Sequence, residues 1–236
     1  MGFIENLEKE LFEMQDLKYR DFHSRLLPGI DKETIIGIRT PILRKFAKDF
    51  AAQEESAQFL HELPHHYYEE NNLHGELIGL LAKSPEDAFT MLDSFLPYVN
   101  NWATCDLIRV KVFKKDLSTT LNKIKEWIVS DPEYMVRFGV VQLMTLFLDE
   151  AFEPEHLNLV ASIKREEYYI NMARAWYYSY ALIKQPETAI PFFEQRPIPL
   201  DTWTYNKSLQ KARESRRISP EQKAYFQSLK IKQAAR

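Results

Sequence analysis

Ser84-Pro85-Glu86 returns along the chain as Asp131-Pro132-Glu133, Glu153-Pro154-Glu155, Gln185-Pro186-Glu187 and Ser219-Pro220-Glu221. A proline at the first helical position leaves no amide unpaired, and a glutamate behind it complements the positive end of the helix dipole. These triplets therefore read as helix starts. One row of starts falls near residues 85, 118, 153, 186 and 219, at intervals of 33, 35, 33 and 33. A second row falls between them, near 67, 103, 132, 166 and 202. Two helices per roughly 34 residues is the period of an α-solenoid, in which each pair buries its apolar face only against its neighbours.

The residues between the starts agree with this reading. Phe138, Val141, Leu143, Met144 and Phe147 recur at helical spacing, as do Leu77, Leu80 and Leu81, and strand-like alternation is hard to find. Glycine occurs only at 2, 29, 37, 75, 79 and 139, never in the close clusters that cradle phosphates in nucleotide-binding α/β folds. No Gly-, Pro- or Ser-rich linker divides the chain; Arg196-Pro197-Ile198-Pro199 is short and reads as an inter-helix turn. The expectation is an all-α chain forming one domain over residues 1–236.

With 45% hydrophobic and 28% charged residues, the chain falls in the ordinary globular class, away from the signature of disorder. No stretch approaches 18 consecutive apolar residues, and the first 14 residues are acidic and amphipathic, unlike a signal peptide. Cys105 is the only cysteine, which excludes an internal disulfide and a multi-cysteine zinc site. A cytoplasmic protein with no membrane span is expected.

The net charge is −3 and the pI about 6.1, which speaks mildly against nucleic acid as a partner if charge is spread evenly. It is not. Residues 51–100 hold nine acidic side chains and one basic, Lys83, whereas residues 202–236 hold nine basic and two acidic, Glu214 and Glu221. A second basic stretch runs from Arg109 to Lys125. Segregation of this kind gives an acidic protein one face suited to a phosphate backbone; helix faces that merely differ in sign are the plainer reading.

Three places carry residues beyond what packing asks for. Asn100-Asn101-Trp102-Ala103-Thr104-Cys105-Asp106 puts Trp102 and Asp106 four apart, on one face of a helix. Arg137 stands in Tyr134-Met135-Val136-Arg137-Phe138, and Trp176 closes Tyr168-Tyr169-Ile170-Asn171-Met172-Ala173-Arg174-Ala175-Trp176. Taken singly, either tryptophan serves as core filler, Asp106 as a cap or ion-pair partner, and Arg137 as that partner.

Together, in order and spacing, Trp102, Asp106, Arg137 and Trp176 resemble the active-site set of the AlkD-type DNA alkylation repair glycosylases, the step from Arg137 to Trp176 being 39 residues. Gly37-Ile38-Arg39-Thr40-Pro41-Ile42-Leu43-Arg44 is similar to that family's Gly-Ile-x-Thr-Pro turn and the basic helix behind it, and Tyr205-Asn206-Lys207-Ser208-Leu209-Gln210-Lys211-Ala212 to its closing DNA-backbone helix. The resemblance covers nearly the whole chain. It implies HEAT-like helix pairs in a superhelix with a concave basic face, and hydrolysis of the N-glycosidic bond of N3- or N7-alkylated purines in duplex DNA. It further implies Asp106 as the catalytic carboxylate and Trp102 and Trp176 as lesion contacts. Arg137, Arg39, Arg44, Lys207 and Lys211 would meet phosphates. No metal or nucleotide cofactor is implied, and a monomer is expected. Three positions depart from the family pattern: Pro28 and Asn101 stand where aromatics are expected, and Ser179 where an arginine is. A non-catalytic binder of damaged or branched DNA on the same scaffold, or a helical adaptor for another protein, are the alternatives.

Two further groups read as structural. His66, Glu70 and His74 share i, i+4, i+8 spacing that suits a metal in principle, beside His65 and Glu69. Without an HExxH motif, a polar helix face packed on its neighbour is the better reading. Cys105 has no histidine at a telling distance and reads as a small buried apolar group.

Overall fold

The computed structural model describes residues 2–231, and every regular element among them is helical. The chain divides into two compact units, Met1–Thr120 and Leu121–Arg236. The first contains α1 (Phe3–Glu13), α2 (Leu17–His23), α3 (Thr40–Phe50), α4 (Glu55–Phe59), α5 (Tyr68–Leu81), α6 (Pro85–Phe95) and α7 (Trp102–Leu107). Helix α8 (Leu117–Trp127) spans the boundary. The second contains α9 (Glu133–Phe147), α10 (Glu155–Ala161), α11 (Tyr168–Lys184), α12 (Pro186–Glu194), α13 (Thr202–Glu214) and α14 (Pro220–Ser228).

The sequence punctuation sets these boundaries. Pro85, Pro186 and Pro220 each open a helix at its first position, whereas Pro132 and Pro154 sit one residue earlier, as caps. Ser84 and Ser219 accept the backbone N–H groups of Asp87 and Gln222, which satisfies donors that the helix itself cannot reach. The turn Arg196-Pro197-Ile198-Pro199 falls between α12 and α13, as its composition indicates.

Within the first unit α5 is the central element, packing on α3, α6 and α7. Leu73, Leu77 and Ile78 are fully buried, and so are the polar side chains of Glu69 and His74. A helix buried on most of its circumference needs neighbours that come close. Gly79 is one device: a Cβ there would run into the carbonyl oxygen of Arg109. In the second unit α11 lies between α9 and α13, and α13 packs in turn on α14. Ten of the 15 residues of α9 are buried, which requires partners on both sides of the helix.

Many buried polar groups in both units find partners, as burial without them costs several kcal/mol, roughly 2–7 depending on the reference; Arg20 Nε and the Tyr177 hydroxyl are buried without one. Arg174, 2% exposed, pairs with Asp201 at 2.9 Å and donates to Asn171 at 2.7 Å. Asp201 in turn caps α13 by accepting the N–H of Thr204, so one arginine ties the middle of α11 to the start of α13. In the first unit His65 and His74 share a 2.8 Å hydrogen bond, and His74 stacks on Phe95 with ring centroids 4.1 Å apart. Burial pushes both imidazoles down, His65 to about 4 and His74 to about 2, so both are neutral in the folded protein. No helix among the described residues is long and apolar enough to cross a membrane.

Candidate nucleic-acid site

In the first unit the Trp102 region is built from its cap outward. Asn101 caps α7: its Oδ1 accepts the N–H of Thr104 at 2.8 Å, and its amide donates to the Thr104 hydroxyl and to Asn100. The Thr104 hydroxyl donates to Asn72 of α5 at 2.7 Å. This chain of buried amides and a hydroxyl fixes both the start and the rotation of a helix only six residues long. Trp102 is then held at its edge, where the indole N–H donates to the Leu26 carbonyl at 3.1 Å. With Ile30 and Ala103 it packs on the Leu27, Ile35 and Tyr68 cluster. Asp106, one turn further along α7, is half-buried, while Cys105 between them is fully buried.

In the second unit Arg137 lies inside α9 and Trp176 inside α11, the latter two turns beyond the helix start. Arg137 is 5% exposed, and its guanidinium donates to the Tyr169 carbonyl at 2.8 Å. Trp176 is half-buried with its ring edge-on to Tyr180 at 6.1 Å. Lys207 and Lys211 stand one turn apart on α13. Burial lowers the Lys211 ammonium pKa, and the positive charges of Lys207 and Arg137 lower it further, against the opposing pull of Glu214. Three of the cations expected to meet phosphates thus share one electrostatic neighbourhood, where an anion would relieve their mutual repulsion.

The model for the family described as DNA alkylation repair enzyme matches residues 7–219. The chain belongs to that family. Its coarse function is therefore enzymatic DNA alkylation repair. Searches of curated proteins and of solved structures returned no match.

In this family member the remaining expected phosphate contacts have partners within the protein. Arg39 holds Asp16 at 2.8 Å and lies over the Tyr19 ring at 5.0 Å, and Arg44 pairs with Glu76 at 2.7 Å. Both arginines keep considerable exposure, so the pairs hold the side chains in place at the surface.

Glu69 belongs to the polar face of α5 that the sequence suggested packs on a neighbour, and it reaches back to the Gly37 turn. Its carboxylate accepts the backbone N–H groups of Ile36, Gly37 and Ile38 at 2.8, 2.7 and 3.0 Å. Burial raises the Glu69 pKa, and the three N–H groups oppose that rise. Glu70 turns the other way and caps α5 through the N–H groups of His66 and Tyr67. No group of three or more His, Cys, Asp or Glu among the described residues is placed to hold a metal ion.

Proposed function

We propose that the protein is a DNA glycosylase that hydrolyses the N-glycosidic bond of cationic N3- and N7-alkylated purines in duplex DNA, opening base excision repair. The observation that carries this reading is the set Trp102, Asp106, Arg137 and Trp176, in that order and spacing, within a chain of the DNA alkylation repair enzyme family. The alternation α3, α5, α7 in one unit and α9, α11, α13 in the other is the neighbour relation that helix-pair repeats require. It supports helix-pair packing within each unit; our reading adds that residues 1–236 form one HEAT-like domain, monomeric and cytoplasmic, with a basic concave face toward DNA.

The chemistry suits these residue types. An alkylated purine already carries a positive charge, so the electrons of the breaking C1′–N bond leave on a neutral base, with little general-acid help. The barrier lies in the electron-poor sugar. Asp106 stabilises the developing oxocarbenium charge and orients the water that adds to C1′, its surplus proton passing to solvent. Trp102 and Trp176 offer π faces to the cationic lesion, an attraction of about 0.5–2 kcal/mol each that a neutral base lacks. Arg137, with Lys207 and Lys211 behind it, holds the backbone phosphates, and Arg39 and Arg44 add contacts further out. Water is the only co-substrate, and this reading includes no metal or nucleotide cofactor.

The test is base release from two matched duplexes, one carrying N7-methylguanine and the other the neutral O6-methylguanine. Release of the cationic base alone is expected. Release of both contradicts charge discrimination, and release of neither moves the assignment to a DNA-binding protein without glycosylase activity.

A further inference from the structure

Between α13 and α14 lies an open cleft of about 680 Å³, within the 300–1,000 Å³ typical of ligand sites. Its lining is unusual in what it combines. Trp203 provides an aromatic wall, Lys207 and Lys230 provide two cations, and Gln210 and Gln227 provide amides, while among the described residues no carboxylate belongs to the lining. Tyr168, 57% exposed, meets the Trp203 ring at 5.9 Å in an edge arrangement, extending the aromatic surface onto α11.

The framework of the cleft is fixed. Asn206 spends its amide on the backbone of Ile231, donating to the carbonyl at 2.9 Å and accepting the N–H at 3.0 Å. That pair closes the chain after α14 onto α13. Two acids of the α13 segment are engaged elsewhere: Glu214 accepts from Gln210 at 3.0 Å, and Asp201 is paired with Arg174. What faces the cleft is a π surface, the Lys207 and Lys230 ammonium groups, the former also donating to Gln210 at 3.4 Å, and the Gln227 amide.

We propose that this cleft binds an unpaired stretch of DNA strand, one base lying against Trp203 beside Tyr168, with flanking phosphates on Lys207 and Lys230. The proposal rests on the reading of the chain as a DNA-binding repair protein. A stacking face recognises any base once it has left the duplex, and two cations recognise the backbone on either side of it. Paired DNA hides its base faces and gains only the charge contacts. The cleft therefore favours frayed, gapped or single-stranded DNA, and it shares Lys207 with the duplex contacts of the proposed glycosylase site.

The probe is a short fluorescein-labelled oligo-dT, with the matching duplex alongside, read by fluorescence anisotropy against the full chain. Expected is oligo-dT binding that Trp203→Leu weakens at least five-fold, while single-turnover release of N7-methylguanine from duplex stays within two-fold of wild type. Lys230→Ala is expected to weaken binding and to reduce the slope of log affinity against log salt by about 0.7, the value for one single-strand phosphate. Undiminished oligo-dT binding by Trp203→Leu, or no binding by the wild type, overturns the proposal. Because the oligo carries no lesion, failure here leaves the glycosylase reading standing, and absence of base release leaves this one standing.

Discussion

The Glu69 carboxylate on α5 accepts the backbone N–H of Gly37 at 2.7 Å, across 32 residues of chain. With Ile36 and Ile38 it forms a charged anchor for the turn that starts α3 and carries Arg39. Glutamine keeps the shape but has one acceptor oxygen and turns an NH₂ donor toward N–H donors. A buried donor left unsatisfied costs about 1–3 kcal/mol. Glu69→Gln is expected to lower the unfolding free energy by about 2–4 kcal/mol in urea titrations, the upper part of that range reflecting more than one N–H group losing its acceptor. A loss under about 1 kcal/mol would mean that the turn holds without its anchor.

The partner side of that bond is equally constrained. Gly37 has φ +96°, and a Cβ there would lie 2.6 Å from the Arg20 Cβ and 2.8 Å from the Asp16 carbonyl oxygen. Gly37→Ala therefore adds a clash to a backbone conformation that costs a non-glycine residue about 1–3 kcal/mol. Its melting temperature is expected to fall well below wild type. Gly29→Ala, whose Cβ meets no atom within 4 Å at a similar φ of +99°, carries only the backbone penalty and should fall less.

These two residues also show where sequence reading stops. Helix starts are legible because their signals are local: proline and glutamate at adjacent positions set Pro85, Pro186 and Pro220 at first positions whatever the rest of the chain does. The same triplets misplace Pro132 and Pro154 by one residue, because proline is tolerated as a cap as well. Partnership across dozens of residues leaves no local trace. That the polar face of α5 packs was legible, but not that Glu69 meets the turn 31 to 33 positions away. The carboxylates that hold Arg39 and Arg44, Asp16 and Glu76, are likewise 23 and 32 positions distant. The Trp203 cleft escaped for the same reason: α13 and α14 supply it jointly, and neither helix advertises it.

The His65 and His74 pair predicts how stability responds to acid. Both imidazoles are held well below their ordinary value of 6.5, so the folded state binds fewer protons than the unfolded chain once the pH drops under that value. Their contribution is intact above pH 6.5 and is lost as pH falls from 6.5 toward 4. Melting temperature measured across that window should drop steeply in the wild type. A variant with glutamine at both positions should show a flatter profile, even if its melting temperature at neutral pH is lower. Parallel profiles would place the acid sensitivity elsewhere.

Trp102→Phe separates the role of the indole from that of ring packing. Phenylalanine can still rest on the Tyr68 cluster but loses the hydrogen bond to Leu26 and part of the π attraction for a cation. Release of N7-methylguanine should slow by about 2- to 30-fold, the equivalent of 0.5–2 kcal/mol, with melting temperature within a few degrees of wild type. An unchanged rate would remove Trp102 from the lesion contacts.

The account turns on Asp106 as the group that stabilises the electron-poor sugar, and one comparison tests it most directly: single-turnover release of N7-methylguanine from a defined duplex by wild type and by Asp106→Asn. Asparagine keeps the size and the place on α7 but removes the negative charge. The account predicts a loss of at least 100-fold in release, about 2.7 kcal/mol, with duplex affinity and melting temperature retained. Release by Asp106→Asn at the wild-type rate would contradict it.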